Sequence, residues 1–212
     1  MGRDAVAAAE PLLRRRRGRR DASGRDAGRR RRSPTRRCRR GRQVTATFVV
    51  RAADPGDAAE LKRLGDAVAA EPEGWLATQQ GWRSVGDERR YLRAIRRYPH
   101  AAVFVAEAED GSIVGRLSIA RDQHPASRHV ADLGLMVAQS HRRQGIGRAL
   151  LAAAADWARE HDIAKLELHV FPYNEAAIAL YERFGFVREG YRTKHYRQGD
   201  ELVDAILMAY EL

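Results

Sequence analysis

The chain has 212 residues, 44% of them hydrophobic, which is enough for one globular domain with a sizeable core and an extension. The formal net charge of +11 is concentrated at one end: residues 1–43 hold 17 Arg and 4 acidic residues, whereas the other 169 hold 22 basic and 24 acidic residues. The remainder of the protein is therefore slightly acidic, which removes the simplest argument for a nucleic-acid enzyme.

Residues 1–43 are predicted to be a disordered, arginine-rich tail, and residues 44–212 the folded domain. The tail has three open interpretations. It is an arm that binds nucleic acid or an acidic partner, a transit peptide, or a solvated run without a task, such as an extension of the reading frame ahead of a start near Val44.

The single cysteine, Cys38, lies in the tail, so an intramolecular disulfide is impossible and a reducing, cytoplasmic setting fits best. No run approaches the roughly 18 apolar residues of a membrane helix, and we expect no membrane partner. No His-Glu-x-x-His or comparable spacing is present, and we therefore expect no metal.

From Phe48 onward, strand patterns alternate with helix patterns. Asp54 and Pro55 follow the first strand and are typical of a helix start. Asp110-Gly111 is a strong hairpin turn between two later strands. The predicted strands cover 48–53, 102–109, 112–122, 130–139, 164–171, 185–192 and 201–212, and the predicted helices cover about 56–70, 85–97, the stretch after Gly145, and 174–184.

Residues 141–151 read HRRQGIGRALL and join an apolar strand to a helix. A glycine-rich turn at such a junction aims backbone N–H groups and the positive end of the helix dipole at one point, which suits a pyrophosphate. Gly145 and Gly147 allow a ligand to approach the backbone. Three arginines can add positive charge at the rim, namely Arg142, Arg143 and Arg148.

Two common phosphate motifs do not fit this stretch. A Walker loop ends in Gly-Lys-Ser/Thr, and here the corresponding residues are Gly147-Arg148-Ala149. A dinucleotide fingerprint requires a third glycine at position 150, which is Leu150. What remains is an Arg-x-x-Gly-x-Gly pattern after a strand.

That pattern, Arg142 to Gly147, resembles the acetyl-coenzyme A signature of the GCN5-related N-acetyltransferases (GNAT superfamily). The later region is similar as well, with Asn174, Leu180-Tyr181 and Gly185-Phe186 in the order that family members often show. The resemblance covers about residues 47–212 and implies an α/β (α+β) three-layer fold. Its central sheet is mixed, mostly antiparallel and seven-stranded, is splayed between strands 4 and 5, and is flanked by about four helices.

The resemblance implies an acetyltransferase that uses acetyl-CoA as co-substrate and transfers the acetyl group directly to a small-molecule amine or a protein amino group. It implies that backbone groups of Met136 and Val137 hold the pantetheine arm. Asn174 either contacts the cofactor or caps a helix. The full implied cofactor set is Met136, Val137, Arg142, Arg143, Gln144, Gly145, Ile146, Gly147, Arg148 and Asn174.

Tyr181 is the candidate acid that protonates the departing thiolate. The alternative is that Tyr181 is only an aromatic side chain of the core. Asp132 is the first candidate for the base, with His129 as the second. Other groups that could face the same cleft are Glu107, Glu167 and His169. Because the predicted domain has no cysteine and no Gly-x-Ser-x-Gly elbow, direct transfer is favoured over an acyl-enzyme.

The acceptor is not identified by the sequence. The resemblance implies that the walls of its site come from the first two helices and the final hairpin, here the region of Trp75 and Trp82 and roughly residues 188–202; Tyr173, Tyr191 and Tyr196 are candidate wall residues. Two other functions stay open: a nucleic-acid-associated protein acting through the tail, and a non-catalytic acetyl-CoA-binding module. The protein is expected to be a monomer or a homodimer.

Overall fold

The computed structural model describes residues 48–76 and 82–212. Within them lie seven strands and four α-helices. The strands are β1 (Phe48–Ala52), β2 (Ala101–Ala108), β3 (Ile113–Arg121), β4 (Val130–Val137), β5 (Lys165–Val170), β6 (Val187–Gln198) and β7 (Glu201–Glu211), and the helices are α1 (Ala58–Ala69), α2 (Val85–Ile95), α3 (Ile146–Glu160) and α4 (Glu175–Phe184). The predicted tail, with Cys38, lies outside the described residues.

The seven strands form one sheet in the order β1-β2-β3-β4-β5-β7-β6. All neighbouring pairs are antiparallel except β4 and β5, which run parallel. The parallel pair is connected through α3, as a crossover between parallel strands requires. The predicted mixed, mostly antiparallel sheet with four helices is therefore confirmed.

The sheet separates two hydrophobic clusters, because successive side chains of a strand point to opposite faces. The larger cluster lies under α3 and α4 and includes Leu117, Leu133, Leu150, Leu166 and Ile178. The smaller cluster lies under α1 and α2 and includes Leu61, Leu64, Leu92, Val105 and Met136. The two faces of the sheet are thus covered by different helix pairs, giving the predicted three layers.

The first helical segment begins as its sequence predicts. The Asp54 carboxylate accepts a hydrogen bond from the backbone N–H of Gly56 at 2.8 Å, and the Asp57 carboxylate accepts one from the backbone N–H of Asp54 at 2.7 Å. This reciprocal cap stabilises a 3-10 turn over Pro55–Asp57, and α1 follows it directly.

The largest difference from the predicted elements is in β6, which continues to Gln198 rather than ending at residue 192. Nearly all of this strand is exposed, so it shows no apolar alternation. Its register against β7 shifts between Arg188 and Gly190 and again between Arg192 and Tyr196. These irregularities absorb extra residues and allow the strand to continue.

Candidate active site

The parallel pair of strands is hydrogen-bonded at one end only. Pairing is limited to Val130–Lys165, Ala131–Leu166 and Asp132–Glu167. Beyond that point β4 stays paired with β3, and β5 stays paired with β7. The sheet therefore splits between β4 and β5, which confirms the predicted splay; we call the space between the unpaired parts, residues 133–137 and 168–170, the split.

Hydrogen bonds to β3 show which residues of β4 direct their backbone N–H and C=O groups toward β3. The N–H of Ala138, directly after β4, donates to the carbonyl of Val114 at 2.9 Å. At the other end, the carbonyl of Val130 accepts from the N–H of Asp122 at 2.9 Å. Because the β3–β4 register is continuous and backbone groups alternate in direction, even-numbered residues of β4 face β3.

It follows that Leu133, Leu135 and Val137 direct their N–H and C=O groups into the split. The backbone of Val137, predicted to hold a pantetheine arm, has the orientation that this role requires. Met136 does not, because its backbone is turned to β3 and its side chain, 6% exposed, is buried under α1 and α2.

The helix that follows β4 begins without a side-chain cap. Its N-cap is Gly145, with φ 88°, and its first hydrogen bond runs from the N–H of Ala149 to the carbonyl of Gly145 at 3.0 Å. The N–H groups of Ile146, Gly147 and Arg148 have no acceptor within the helix. Together with the helix dipole they make residues 142–148 a suitable site for an anion, which we call the cradle.

Polar side chains surround the cradle as the sequence predicts, but only some of them are free. Arg143 and Gln144 are exposed; Arg143 has a positive φ of 65°, and Gln144 donates to the carbonyl of Ser140 at 3.3 Å. The guanidinium of Arg148 lies 5.9 Å from the ring centre of Phe184 on α4. Arg143 is the arginine best placed to meet an anion.

The two glycines of the cradle are required for different structural reasons. Gly145 adopts the left-handed conformation, and a Cβ there would meet nothing within 4 Å. A Cβ on Gly147 would lie 2.7 Å from Cδ2 of Leu180 and 3.6 Å from Cδ2 of Leu135. Gly147 thus allows α3 and α4 to pack closely, whereas the sequence suggested that it only made room for a ligand.

Arg142 links the cradle to the segment after α1. Its Nε donates to the carbonyl of Val137 at 3.1 Å, and its Nη2 donates to Oε1 of Glu71 at 2.6 Å. The second oxygen of Glu71 accepts from Nε1 of Trp75 at 2.7 Å. The Glu71 side chain is only 8% exposed. Sequence reasoning missed Glu71, and it assigned Arg142 only to the cofactor.

Tyr181 lies on the buried face of α4 and is 6% exposed. Its ring centre is 5.7 Å from that of Phe186, and its hydroxyl forms no hydrogen bond with the part of the chain that the structure describes. Burial raises the pKa of Tyr181 above its usual value, so the hydroxyl stays protonated. The preceding residue, Leu180, packs against Gly147, so this part of α4 lies against the start of α3.

Asn174 acts as a helix cap. Its side-chain oxygen accepts from the N–H of Ala177 at 3.1 Å, and α4 begins at Glu175. The sequence left two roles open for Asn174, and the structure contains the hydrogen bond of the capping role.

Asp132 lies where the β4–β5 pairing ends, directly beside Glu167. The Asp132 side chain is exposed, but nearby protein partly desolvates its carboxyl group, and this raises the pKa of Asp132 to about 6. The negative charge of Glu167 acts in the same direction, and the positive charge of Arg192 opposes both. Glu167 itself pairs with the ammonium of Lys165 at 2.8 Å.

Side chains from β5 and β6 meet on the same face of the sheet as Asp132. Nδ1 of His169 lies 2.7 Å from the hydroxyl of Tyr196, and the ring of His195 lies 5.0 Å from that of His169. Burial lowers the pKa of His169, and the charges of Arg192 and His195 lower it further. Sequence reasoning named His169 and Tyr196, but not Arg192 or His195.

One side of this face is closed by contacts between residues 71–76 and the final hairpin. Nε2 of Gln198 donates to the carbonyls of Gly74 at 3.0 Å and Leu76 at 3.1 Å. The hydroxyl of Tyr173 also donates to the carbonyl of Gly74, at 3.1 Å. We call residues 71–76, 171–173 and 192–198 the side wall. Tyr191, the third predicted wall tyrosine, instead donates to Asp204 at 2.7 Å.

The other candidate groups lie apart from this site. His129 precedes β4 with an exposed side chain, and its carbonyl accepts from the N–H of Ala164 at 2.8 Å. Glu107 pairs with Arg51 at the β1–β2 edge. Residues 48–76 and 82–212 contain no group of three or more His, Cys, Asp or Glu that could hold a metal ion. None of their helices is long and apolar enough to cross a membrane.

The sequence profile of the acetyltransferase (GNAT) family matches residues 70–186, which is more than half of the chain. The chain therefore belongs to the GNAT acetyltransferase family.

Individual relatives agree with this assignment. The chain is 36% identical over 104 residues to an L-amino acid N-acetyltransferase of Escherichia coli K12, matching 47% of this chain and 62% of that protein. It is 43% identical over 75 residues to the ribosomal protein bS18-alanine N-acetyltransferase of the same strain, matching 35% of this chain and 51% of that protein. The chain thus spans less than two thirds of either relative.

Among solved structures, the fold is similar to an acetyltransferase of the GNAT family from Streptococcus pneumoniae. The TM-score is 0.71 at 28% sequence identity, and the similarity covers 78% of this chain and 99% of that one.

Proposed function

We propose that this protein is an N-acetyltransferase that moves an acetyl group from acetyl-CoA directly to an amine acceptor. The observation that carries the proposal is the open edge of β4 lying next to the uncapped start of α3. An extended chain of amides ending in a pyrophosphate is complementary to both features, because unpaired strand groups bind amides and helix N–H groups bind phosphates. Membership of the GNAT family supports this reading.

The residues present fit such a co-substrate. The pyrophosphate would accept hydrogen bonds from the N–H groups of Ile146, Gly147 and Arg148, with Arg143 adding charge. The pantetheine arm would pair with the N–H and C=O of Leu135 and with the N–H of Val137, since the Val137 carbonyl already accepts from Arg142. Acetyl-CoA supplies the activated thioester, and an N–H of the split would stabilise the negative charge that develops on its oxygen.

Asp132 is proposed as the base. An ammonium group must lose a proton before its nitrogen can attack, and a carboxylate with a pKa near 6 is largely ionised at neutral pH while still able to accept that proton. Asp132 lies at the closed end of the split, where the acceptor nitrogen would approach. It acts either directly or through a water molecule.

Tyr181 is proposed as the acid. Its hydroxyl stays protonated because burial raises the pKa of Tyr181, and α4 lies against the cradle. Asp132 passes the ammonium proton to solvent before the attack. As the new C–N bond forms and the C–S bond breaks, Asp132 takes a second proton from nitrogen and Tyr181 gives its proton to sulfur. The products are an amide and a free thiol; Asp132 then releases its proton to solvent, and Tyr181 recovers one from solvent.

The acceptor would reach the split from the side wall, opposite the cofactor. Two relatives are named for acetylating an amino acid and a ribosomal-protein alanine, so both a small-molecule amine and a protein amino group are compatible with the family. We propose that residues 44–212 suffice for this reaction and that it takes place in the cytoplasm, as the lone cysteine suggests.

The test is release of coenzyme A thiol from acetyl-CoA in the presence of a broad amine panel. We expect Tyr181→Phe to lower turnover by about 10²-fold while the affinity for acetyl-CoA stays nearly unchanged. Unchanged turnover in Tyr181→Phe would remove this residue from the mechanism. Tight acetyl-CoA binding without acetylation of any amine would instead identify a non-catalytic binding module.

A further inference from the structure

The face of the sheet that carries Asp132 is open over β3 and β4. These are the third and fourth of the seven strands, yet Ala120, Asp132 and Gly134 are exposed, and Ser118 is half-buried. The cross-strand pairs Ala120–Asp132 and Ser118–Gly134 place all four residues on one face. We call these four residues the trough. It begins beside the closed end of the split and leads away from the side wall.

A buried arginine closes the inner end of the trough. Arg116 lies two residues before Ser118 on β3, so the two side chains share a face, and it is 5% exposed. Its Nη1 donates to Oγ of Ser118 at 3.3 Å, which directs the guanidinium toward the trough. A Cβ on Gly134 would lie 3.5 Å from the same Oγ. A group resting on Gly134 would therefore meet both the Ser118 hydroxyl and the guanidinium.

Aromatic rings hold the guanidinium of Arg116 in place. Its Cζ lies 5.0 Å from the ring centre of Trp82 and 5.9 Å from that of Tyr91. Trp82 is fixed in turn, because its backbone N–H donates to Oδ1 of Asp66 at 3.1 Å. Packing thus fixes the position of this arginine, and stacked guanidinium groups keep their in-plane donors for other partners.

Glu88 does not complete the hydrogen bonding of Arg116. Its Oε1 lies 3.9 Å from Nε of Arg116, beyond hydrogen-bond distance, and both atoms are buried without a partner in the described part of the chain. The other oxygen of Glu88 accepts from Nε1 of Trp82 at 3.1 Å and lies 3.3 Å from Nε of Arg83. One carboxylate thus faces two guanidinium groups. The cluster has a net positive charge, which an anion would stabilise.

We infer that the trough binds an anionic group of the acceptor, a carboxylate or a phosphate, that lies about six bonds from the reacting nitrogen. This inference rests on the proposed function and names the substrate class for the same site. The Ser118–Gly134 pair is two residues from Asp132, about 7 Å along the strands, and an extended chain advances about 1.2 Å per bond. The acceptor would lie with its ammonium group at Asp132 and its anion at Ser118 and Arg116.

The distance between the two charges separates acceptor classes. An α-amino acid carries its carboxylate on the same carbon as its nitrogen, so the carboxylate cannot reach Arg116 while the nitrogen lies at Asp132. A simple alkylamine of sufficient length reaches the trough but brings no negative charge. A polyamine brings a second positive charge, which the cluster of Arg83, Glu88 and Arg116 repels.

The experiment uses the full chain, acetyl-CoA, and linear ω-amino acids from glycine to the six-carbon acid, each compared with the alkylamine of equal length. We expect the five-carbon and six-carbon acids to exceed their alkylamines in kcat/KM by about 10-fold to 100-fold, the effect of a hydrogen bond to a charged group. Glycine should show no such advantage. Aminoalkyl phosphates of the same lengths show which of the two anions binds better.

The variants test the cluster at the end of the trough. Arg116→Gln is combined with Glu88→Gln, because the single change would leave a buried carboxylate with one positive charge fewer. We expect the double variant to lose the preference for the anionic acceptor and Glu88→Gln alone to keep it. Ser118→Ala should reduce the preference by about 3-fold to 10-fold.

Arg121→Gln is the matched control. Arg121 lies on the same strand but on the opposite face, and its Nε is also buried without a partner in the described residues. The preference for the anionic acceptor should stay intact in this variant. Acetyl-CoA affinity and thermal unfolding of each variant separate loss of recognition from loss of folding.

Equal kcat/KM for the longer ω-amino acids and their alkylamines would overturn the inference, and so would an unchanged preference in the double variant. If the double variant unfolds, an unchanged preference in Ser118→Ala overturns the inference instead. Thiol release only with amines that lack a distant anion would reject this substrate class but keep the N-acetyltransferase. Absence of thiol release with every amine would contradict the proposed function, and the inference with it.

Discussion

The cradle and the side wall are built from different parts of the chain. The cradle consists of residues 142–148, seven successive residues whose important groups are backbone N–H groups. The side wall consists of side chains from residues 71–76, 171–173 and 192–198, which the order of the strands brings together. The proposed cofactor site is thus specified locally, whereas the proposed acceptor site depends on the tertiary structure.

The largest expected effect concerns Asp132, the proposed base, on the acceptor side. We expect Asp132→Asn to lower kcat/KM by about 10²-fold to 10⁴-fold, because an amide cannot accept the proton of the ammonium group. Since Asp132 must be ionised to act, activity of the unmodified protein should fall as the pH drops below about 6. A pH profile of kcat/KM measures this acidic limb.

Glu167→Gln sharpens the same prediction. Removing its negative charge favours ionisation of Asp132, so the acidic limb should move to lower pH. An acidic limb that stays in place in Glu167→Gln, or that persists in Asp132→Asn, would show that another group titrates.

The next effect tests whether the cradle is purely local. Gly147→Ala forces a Cβ against Leu180, so we expect a loss of about 1–3 kcal/mol in the free energy of unfolding, with weaker acetyl-CoA binding. Gly145→Ala has room but must adopt a positive φ, which costs about 1–2 kcal/mol. Urea unfolding and calorimetric titration with acetyl-CoA measure both.

The double variant Gly147→Ala with Leu180→Ala is the control. Removing the Leu180 side chain should relieve the clash at Gly147, so the two changes should not be additive, whereas Gly145→Ala should add independently. Additive losses for Gly147 and Leu180 would mean that packing of α3 on α4 does not explain the glycine.

The smallest effect tests whether the two regions are independent. Glu71 joins Arg142 of the cradle to Trp75 of the side wall. We expect Glu71→Gln to weaken the link to Arg142 while keeping an oxygen for Trp75, and so to raise KM for the acceptor by about 3-fold to 10-fold. Steady-state kinetics with each substrate varied in turn measure this change.

Glu60→Gln is a matched control, because Glu60 forms a surface ion pair with Arg63 on α1. The KM values of Glu60→Gln for acetyl-CoA and for the acceptor should not change. If Glu71→Gln changed only the KM for acetyl-CoA, Glu71 would serve only the cradle, and other contacts would hold the side wall.

The sequence was sufficient to predict the strands and helices, because these depend on apolar periodicity. The split between β4 and β5 was implied by the resemblance that the motif of residues 142–147 carries. The sequence could not show which alternate residues of β4 face the split. A shift of one residue reverses every direction along a strand. The backbone of Met136, named for the pantetheine arm, therefore faces β3, whereas those of Leu135 and Val137 face the split.

The acceptor side escaped sequence reasoning for a different reason. Arg192 and His195 lie in a strand whose side chains are exposed, so no apolar pattern marks their orientation, and irregular register resets it. Glu71 and Arg142 are 71 residues apart, and only the folded chain brings them together. The candidates that sequence reasoning did find here, His169 and Tyr196, were identified by residue type and approximate position.

The place of β6 in the sheet has an evolutionary consequence. It is the last strand in the order and pairs with β7 alone among the described strands. Insertions or deletions in β6 can therefore reshape the contacts offered to an acceptor while β3, β4 and α3 keep their register. A change confined to this one hairpin would thus alter the proposed acceptor side and leave the proposed cofactor side in place.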